Sequence, residues 1–156
     1  MNSICRINSL FNAALNFLAP VVDLAARAWV AWVFFKSGLV KIQSWDSTVM
    51  LFQYEYNVPL LPPQLAAIAG TATELLMPAL LVLGLFGRWP ATILFFFNIV
   101  AAISYPDISA AGISQHVVWG LILALLAVHG SGKLTLDSLV FRHFCGRGNS
   151  AKTTTA

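Results

Sequence analysis

The chain has 156 residues, of which 58% are hydrophobic and only 10% are charged, and its net charge is +3 at pH 7. Soluble domains carry about 25% charged residues, so this composition excludes an ordinary soluble globular protein and indicates a membrane protein. The basic residues are spread along the chain rather than clustered, so they do not indicate a nucleic-acid-binding protein.

The first 20 residues are predicted to form a short amphipathic helix. Apolar side chains recur there at helical spacing, opposite three asparagines, which is typical of a helix that lies on a membrane surface. The apolar positions are Ile4, Ile7, Phe11, Ala14 and Leu18. We expect Pro20 to separate this helix from the first membrane span.

Four apolar blocks follow this segment, at residues 21–42, 64–86, 89–105 and 113–129. Each approaches the roughly 20 residues that a helix needs to cross a bilayer. Ser44 and Asp46 are candidate N-caps for a further short helix that ends near Tyr54. The sequence therefore predicts an all-α membrane protein. It would be a bundle of four transmembrane helices, with the amphipathic N-terminal helix and a short helix in the outer loop between helices 1 and 2.

Three segments follow from this pattern. Residues 1–20 are the amphipathic segment, residues 21–140 the four-helix membrane domain, and residues 141–156 a cytoplasmic tail. The end of the chain is rich in Gly, Ser and Thr, and the tail is therefore predicted to be disordered.

The charged residues between the blocks predict the orientation of the chain. Basic residues flank the blocks on one side: Arg6, Arg88, Lys133, Arg142, Arg147 and Lys152. The loops on the other side carry acidic residues: Asp46, Glu55 and Asp107. Cytoplasmic loops are enriched in Lys and Arg, so both termini are predicted to be cytoplasmic.

Two charges fall inside the apolar blocks, Arg27 in the first and Glu74 in the second. A charge at the bilayer centre costs roughly 2.5–3.5 kcal/mol on insertion scales, so such residues usually face other helices. One interpretation is a buried Arg27–Glu74 ion pair that shapes a polar pocket. The other is that Arg27 reaches the inner interface while Glu74 is protonated or hydrogen-bonded to a neighbour.

Four further polar residues lie within or near the spans. Lys41 falls on the same face of helix 1 as Arg27, whereas Lys36 points to the opposite side. Asn98 is in the middle of helix 3, where an interhelical hydrogen bond is the simplest explanation, and His116 begins helix 4. The predicted intramembrane polar pocket therefore comprises Arg27, Glu74, Lys41, His116, Asn98 and Lys36. Near the outer face, His116 with Gln115 and Lys41 could hold an anionic or quinone-like head group.

Motifs for self-contained catalysis are not found in the sequence, so enzymatic activity stays an open question. Cys5 and Cys145 are not a CxxC pair, and both are predicted to face the cytoplasm, where a disulfide is not expected. His129, His143 and Cys145 lack convincing ligand spacing, so no metal site is predicted.

Residues spread over most of the chain resemble the DoxX family of bacterial inner-membrane proteins. The resemblance covers about residues 24–139 and rests on three groups of positions. These are Arg27, Phe34, Gly38 and Lys41 in helix 1; Glu74, Gly84 and Arg88 in and after helix 2; and the closing segment Gly130-Ser131-Gly132-Lys133-Leu134-Thr135-Leu136-Asp137. It implies a multi-pass four-helix bundle in the bacterial inner membrane.

The resemblance also implies functions. Some DoxX-family members are subunits of a thiosulfate–quinone oxidoreductase, and others associate with redox or thiol-stress enzymes. The first hypothesis is therefore a redox accessory subunit that binds a quinone or similar carrier beside Arg27, Glu74 and His116, with the catalytic cofactor on a partner protein. The second is a non-enzymatic assembly or export-linked protein for a secreted metal-associated peptide or other partner. The third is a small transporter, which would have to form a homo-oligomer.

Overall fold

A computed structural model describes the backbone of residues 2–130 and 135–137, with side chains from residue 6 onward. The predicted tail, residues 141–156, lies outside the described residues, and so do Cys145 and residues 131–134 of the closing segment. The described chain is all helical and contains five helices: α1 Asn2–Gln43, α2 Trp45–Tyr54, α3 Pro63–Leu83, α4 Trp89–Ser104 and α5 Ala110–His129.

The helix lengths confirm the predicted all-α membrane bundle. Three helices, α1, α3 and α5, are long and apolar enough to cross a membrane, and α4 is a shorter apolar helix of 16 residues. The predicted short helix between the first two spans is present as α2. Many of the side chains that point away from the bundle are large and apolar, which suits contact with lipid. Trp32, Leu76, Phe96 and Leu121 are examples, each about three-fifths exposed.

The N-terminal segment differs from the expectation in one respect. It is helical, but Pro20 does not separate it from the first span, because α1 continues through Pro20. A proline removes one backbone hydrogen bond and tends to kink a helix. The flanking residues are mostly Ala and Leu, which favour helix, and the helix therefore continues on both sides.

Sequence signals account for most of the helix ends. Pro63 and Pro90 lie in the first turns of α3 and α4, where a missing backbone N–H costs no hydrogen bond. The Ser109 side chain caps α5 by accepting a hydrogen bond from the backbone N–H of Gly112 at 3.1 Å. Gly84 ends α3 in the left-handed conformation, with φ +65°, which glycine adopts without steric cost.

Helices α1, α3, α4 and α5 form a closed ring in which each packs against two neighbours, in that order. The core is apolar, and Val30, Leu94 and Leu123 are fully buried. The Phe34 ring meets the rings of Phe97 and Trp119 edge to face, at centroid distances of 6.2 and 6.0 Å. These ring contacts join α1 to α4 and to α5.

The bundle has two ends with different contents. We call the α2 end the one where α1 and α4 end and where α3 and α5 begin. There α2 packs against α1 and α3, and Phe52 is buried with Ala66 and Ala67. The opposite end contains the turn between α3 and α4 and the end of α5.

Candidate functional site: a cavity with a buried ion pair

The ammonium group of Lys41 on α1 and the carboxylate of Glu74 on α3 form a buried ion pair. Lys41 Nζ lies 2.6 Å from Glu74 Oε2 and 2.8 Å from Oε1. The two side chains are 14% and 7% exposed. Ser37, one turn before Lys41, accepts a hydrogen bond from Nζ at 3.0 Å and donates one to Glu74 Oε1 at 3.2 Å. The three side chains form one closed hydrogen-bonded group.

The sequence of α1 explains why the two helices approach so closely at this level. Gly38 lies between Ser37 and Lys41 and is buried against α3. A Cβ atom at Gly38 would lie 2.9 Å from Leu75 Cδ2 and 3.1 Å from Glu74 Cβ. These distances are too short for ordinary side-chain contact, so the absence of a side chain at Gly38 allows Lys41 to reach Glu74.

The predicted Arg27–Glu74 ion pair is wrong. Arg27 is fully buried, but it lies near the other end of α3, where its Nη1 atom is 3.0 Å from the position that a Cβ of Gly84 would occupy. Gly84 follows Glu74 by ten residues, about 15 Å along a helix. The interpretation that left Glu74 hydrogen-bonded to a neighbour is closer to the structure, because Ser37 and Lys41 fill that role.

A second polar group joins α4 and α5 on the other side of the bundle. Asn98 is buried, and its side-chain amide donates to the backbone carbonyl of His116 at 2.8 Å. Its Oδ1 atom lies 2.8 Å from His116 Nδ1. This is the interhelical hydrogen bond that the sequence suggested for Asn98. Gly120 faces it, and a Cβ there would lie 3.2 Å from Asn98 Nδ2.

The Asn98 contacts fix the tautomer of His116. A backbone carbonyl can only accept, so the amide nitrogen of Asn98 must face it and Oδ1 must face the imidazole. Because Oδ1 is also an acceptor, the proton lies on Nδ1. In the neutral imidazole, Nε2 then carries a lone pair and is a hydrogen-bond acceptor.

Between these two groups lies a cavity of about 400 Å³ at the α2 end of the bundle. Lys41, Glu74 and His116 line it, and Asn98 supports it through His116. The remaining wall is mainly apolar and includes Phe34, Phe52, Phe97, Val100, Trp119 and Ile108. Within the described residues, the charged side chains of the wall are Lys41 and Glu74, so its formal charges cancel.

Two tyrosines, Tyr56 and Tyr105, line the cavity at the α2 end. The ring of Tyr56 contacts Phe52 and Tyr105 edge to face, at 4.9 and 5.4 Å. The backbone N–H of Asn57 donates to the carbonyl of Ser104 at 2.8 Å, which holds this loop on α4. Burial raises the pKa of the Tyr56 phenol, and the negative charge of Glu74 raises it further. Tyr56 is therefore protonated at neutral pH.

Of the six residues predicted to form the polar pocket, the structure brings four together: Glu74, Lys41, His116 and Asn98. Arg27 lies towards the opposite end, and the Lys36 side chain is exposed on another side of α1. Ser37, Thr73, Ser104 and Tyr56 also line the cavity but were not among the predicted pocket residues. The spacing of four residues between Ser37 and Lys41 places both on one face of α1 and could have indicated that Ser37 belongs to the site. Among the residues with described side chains, no group of three His, Cys, Asp or Glu residues is placed to hold a metal ion.

A separate polar cluster occupies the opposite end of the bundle. The carboxylate of Asp137 accepts a hydrogen bond from the backbone N–H of Gly87 at 2.8 Å, and the backbone N–H of Asp137 lies 3.4 Å from the Gly84 carbonyl. Thr135 is buried against Gly84. Residues 135–137 are thus docked on the turn that joins α3 to α4, beside Arg27.

Comparison with known proteins gives a family match and two informative relatives. The family model described as DoxX matches residues 22–106. A Haemophilus influenzae protein described as uncharacterized is 32% identical over 126 residues, which cover 75% of this chain and 82% of that protein. The Escherichia coli inner membrane protein YphA is 30% identical over 128 residues, which cover 76% of this chain and 89% of YphA. No solved structure gives a significant match.

Proposed function

Because the chain belongs to the DoxX family of membrane proteins, we propose that it is an accessory subunit of a redox system in the bacterial inner membrane. In this proposal it binds a quinone or a similar lipid-soluble carrier in the cavity at the α2 end. The residues that line the cavity support the proposal. The cavity has a volume of about 400 Å³ and a mainly apolar wall, with the Lys41–Glu74 ion pair on one side and the imidazole of His116 on the other.

The size and polarity of the cavity favour a ligand of this kind. Small-molecule sites are mostly apolar, have volumes of roughly 300–1,000 Å³ and contain a few polar groups that fix orientation. Aromatic side chains such as Phe34, Phe97 and Trp119 offer ring faces and edges to a flat ring. Glu74 and His116 offer hydrogen-bond acceptors to ring hydroxyl groups from two sides. A strongly charged ligand would find no opposite net charge in this wall.

The protein would bind and orient the carrier, while the electron-transferring cofactor would belong to a partner. No catalytic motif was found in the sequence, and the buried polar groups of the cavity are held in place by hydrogen bonds to one another. Such groups position a ligand well but do not supply electrons.

Titration of the purified protein with decylubiquinone tests this function. Trp119 lines the cavity, so bound quinone should quench tryptophan fluorescence saturably. Glu74→Gln and His116→Gln should each weaken binding of the reduced form, decylubiquinol, about tenfold, the effect of losing one strong hydrogen-bond acceptor for a ring hydroxyl. Glu55→Gln is the matched control, because Glu55 is exposed and outside the cavity wall.

Folding of each variant is checked by its circular dichroism melting curve in the same detergent. If the wild-type protein shows no saturable quenching, the redox-subunit proposal is abandoned. Equal weakening by Glu55→Gln and Glu74→Gln would also count against it, because binding would then not depend on the cavity.

A second function, docking of a partner for assembly or export, is favoured by exposed side chains at the same end. Tyr54 on α2 is 76% exposed, and Leu60 in the next loop is completely exposed. Tyr54→Ala should then reduce capture of the partner from membranes but leave quinone binding unchanged. The cavity variants should have the reverse effect if the redox proposal is correct.

We also propose that both termini are cytoplasmic and that the α2 end faces the periplasm, as the distribution of Lys and Arg favours. Asn57 is exposed in the loop after α2. A membrane-impermeant maleimide should therefore label Asn57→Cys in intact spheroplasts, in a background without the native cysteines. Labelling only after the membrane is opened would reverse the orientation.

A further inference from the structure

The donors and acceptors of the cavity wall are not balanced. Lys41 has three ammonium protons, and its three contacts, with both oxygens of Glu74 and with Ser37 Oγ, use them. The Ser37 hydroxyl proton is used as well, in the bond to Glu74 Oε1. The cationic side of the cavity therefore has no proton left to donate to a ligand.

The carboxylate on the same side still has accepting capacity. A carboxylate offers about four lone-pair positions. Glu74 Oε1 accepts from Ser37 and Lys41, whereas Oε2 accepts from Lys41. Among the described contacts, one position on Oε2 thus stays available to a hydroxyl or amine that enters the cavity.

Two hydroxyl groups of the wall can also accept a hydrogen bond from a ligand but cannot donate one. Thr73 Oγ1 donates to the carbonyl of Ala69 at 2.8 Å, and Ser104 Oγ donates to the carbonyl of Val100 at 2.6 Å. Each hydroxyl has a single proton, so towards the cavity both oxygens are acceptors.

His116 adds a further acceptor on the other side of the cavity. Its Nδ1 proton is used by Asn98, and Nε2 of the neutral ring carries a lone pair. Glu74 on α3 and His116 on α5 therefore offer acceptors from opposite walls.

We infer that the cavity binds the hydroxyl-bearing, reduced form of its carrier, a quinol, more tightly than the oxidised quinone. This inference rests on the proposed function. A quinol has two hydroxyl donors at opposite positions of its ring, which match acceptors on opposite walls. A quinone has two carbonyl acceptors, which face Glu74 Oε2 and His116 Nε2 without a proton between them, and such contacts are unfavourable.

Three other polar groups of the wall do not reverse this preference. Tyr56 and Tyr105 have hydroxyls that can donate or accept, so they serve both forms. The indole N–H of Trp119 is a donor, but the Trp119 ring lies edge to face against His116, at a centroid distance of 4.9 Å. One donor remains set against four acceptors: Glu74, His116, Thr73 and Ser104.

The test compares decylubiquinol and decylubiquinone on the same purified protein, by equilibrium dialysis under argon. We expect the quinol to bind about tenfold more tightly, the effect of one charged hydrogen bond. Tenfold tighter binding of the reduced form raises the midpoint potential of the bound two-electron couple by about 30 mV. Redox titration of the bound carrier provides that second readout.

Variants identify the groups responsible. Glu74→Gln replaces an acceptor by an amide that can also donate, and should bring the ratio of the two affinities close to one. Thr73→Val removes one acceptor but keeps the branched shape, and should lower the ratio even if Glu74→Gln does not fold. Glu55→Gln should leave the ratio unchanged.

The possible results distinguish failure of this inference from failure of the proposed function on which it rests. Equal binding of both forms, or tighter binding of the quinone, overturns the inference while quinone-type binding stands. A preference that survives both Glu74→Gln and Thr73→Val also overturns it, because the acceptors named here would not be its cause. Binding of neither form defeats the proposed function itself.

Discussion

Replacing Lys41 by Met is expected to lower the free energy of unfolding by about 3–5 kcal/mol, because it leaves a buried carboxylate without its cation. Glu74 is 6% exposed, and both of its oxygens contact Lys41. Glu74→Leu should have a similar effect, since it strands the ammonium group. Unfolding by denaturant in mixed micelles, followed by circular dichroism, measures both losses.

The double variant Lys41→Met/Glu74→Leu separates pairing from simple loss of polarity. Replacing both partners of a buried ion pair by apolar residues is often neutral or stabilising, so the double variant should be more stable than either single variant. Lys36→Met is the matched control, because Lys36 lies on the same helix but is exposed, and it should change stability by no more than about 0.5 kcal/mol. Strictly additive losses, or equal losses at Lys36 and Lys41, would contradict the ion pair.

The second large effect is expected at Gly84, where substitution by Ala meets two obstacles. The backbone has φ +65°, which costs a residue with a side chain roughly 1–2 kcal/mol. A Cβ atom would also lie 2.6 Å from Thr135 Cβ, which cannot move without displacing its backbone. Overpacking of this kind costs typically 1–3 kcal/mol more. Gly84→Ala should therefore lower the free energy of unfolding by about 2–5 kcal/mol.

Gly87→Ala is the control for the backbone contribution. Gly87 has a similar φ of +59°, but a Cβ there would have no neighbour within 4 Å. Its loss should be limited to about 1–2 kcal/mol, and the difference between the two variants then measures the docking of Thr135. If both variants lose the same stability, residues 135–137 do not pack on Gly84 in the membrane. Limited proteolysis after residue 130 should be faster only in Gly84→Ala.

The sequence predicted Glu74 as a buried site residue but assigned it the wrong partner. A mid-span carboxylate is costly in lipid, and that cost alone indicates that Glu74 faces other helices. Its partner depends on how far α1 is displaced along α3. Lys41 lies only two residues before the end of α1, yet it contacts Glu74, which lies eleven residues after the start of α3.

For His116 and Asn98, too, the sequence predicted burial between helices but not the detailed contacts. Their residue types and positions in apolar helices predicted polar contacts between helices, and the structure has one. Which imidazole nitrogen carries the proton depends on the direction of one amide group, which residue spacing does not determine. Ser37, Thr73 and Ser104 are residue types that are common in membrane helices. That their hydroxyl groups line one cavity follows from the packing of the helices and not from their spacing in the sequence.

The unbroken helix α1 has a consequence for the surroundings of the protein. A straight helix of 42 residues is about 63 Å long, about twice the thickness of the hydrocarbon core of a bilayer. The whole of α1 therefore cannot fit within the lipid tails along the membrane normal, yet Phe11 near its N-terminal end is 61% exposed and Phe17 80% exposed. Apolar surface of this kind is unstable in water. We therefore expect the N-terminal part of α1 to be covered by the membrane surface or by another protein, since the bundle itself leaves it exposed.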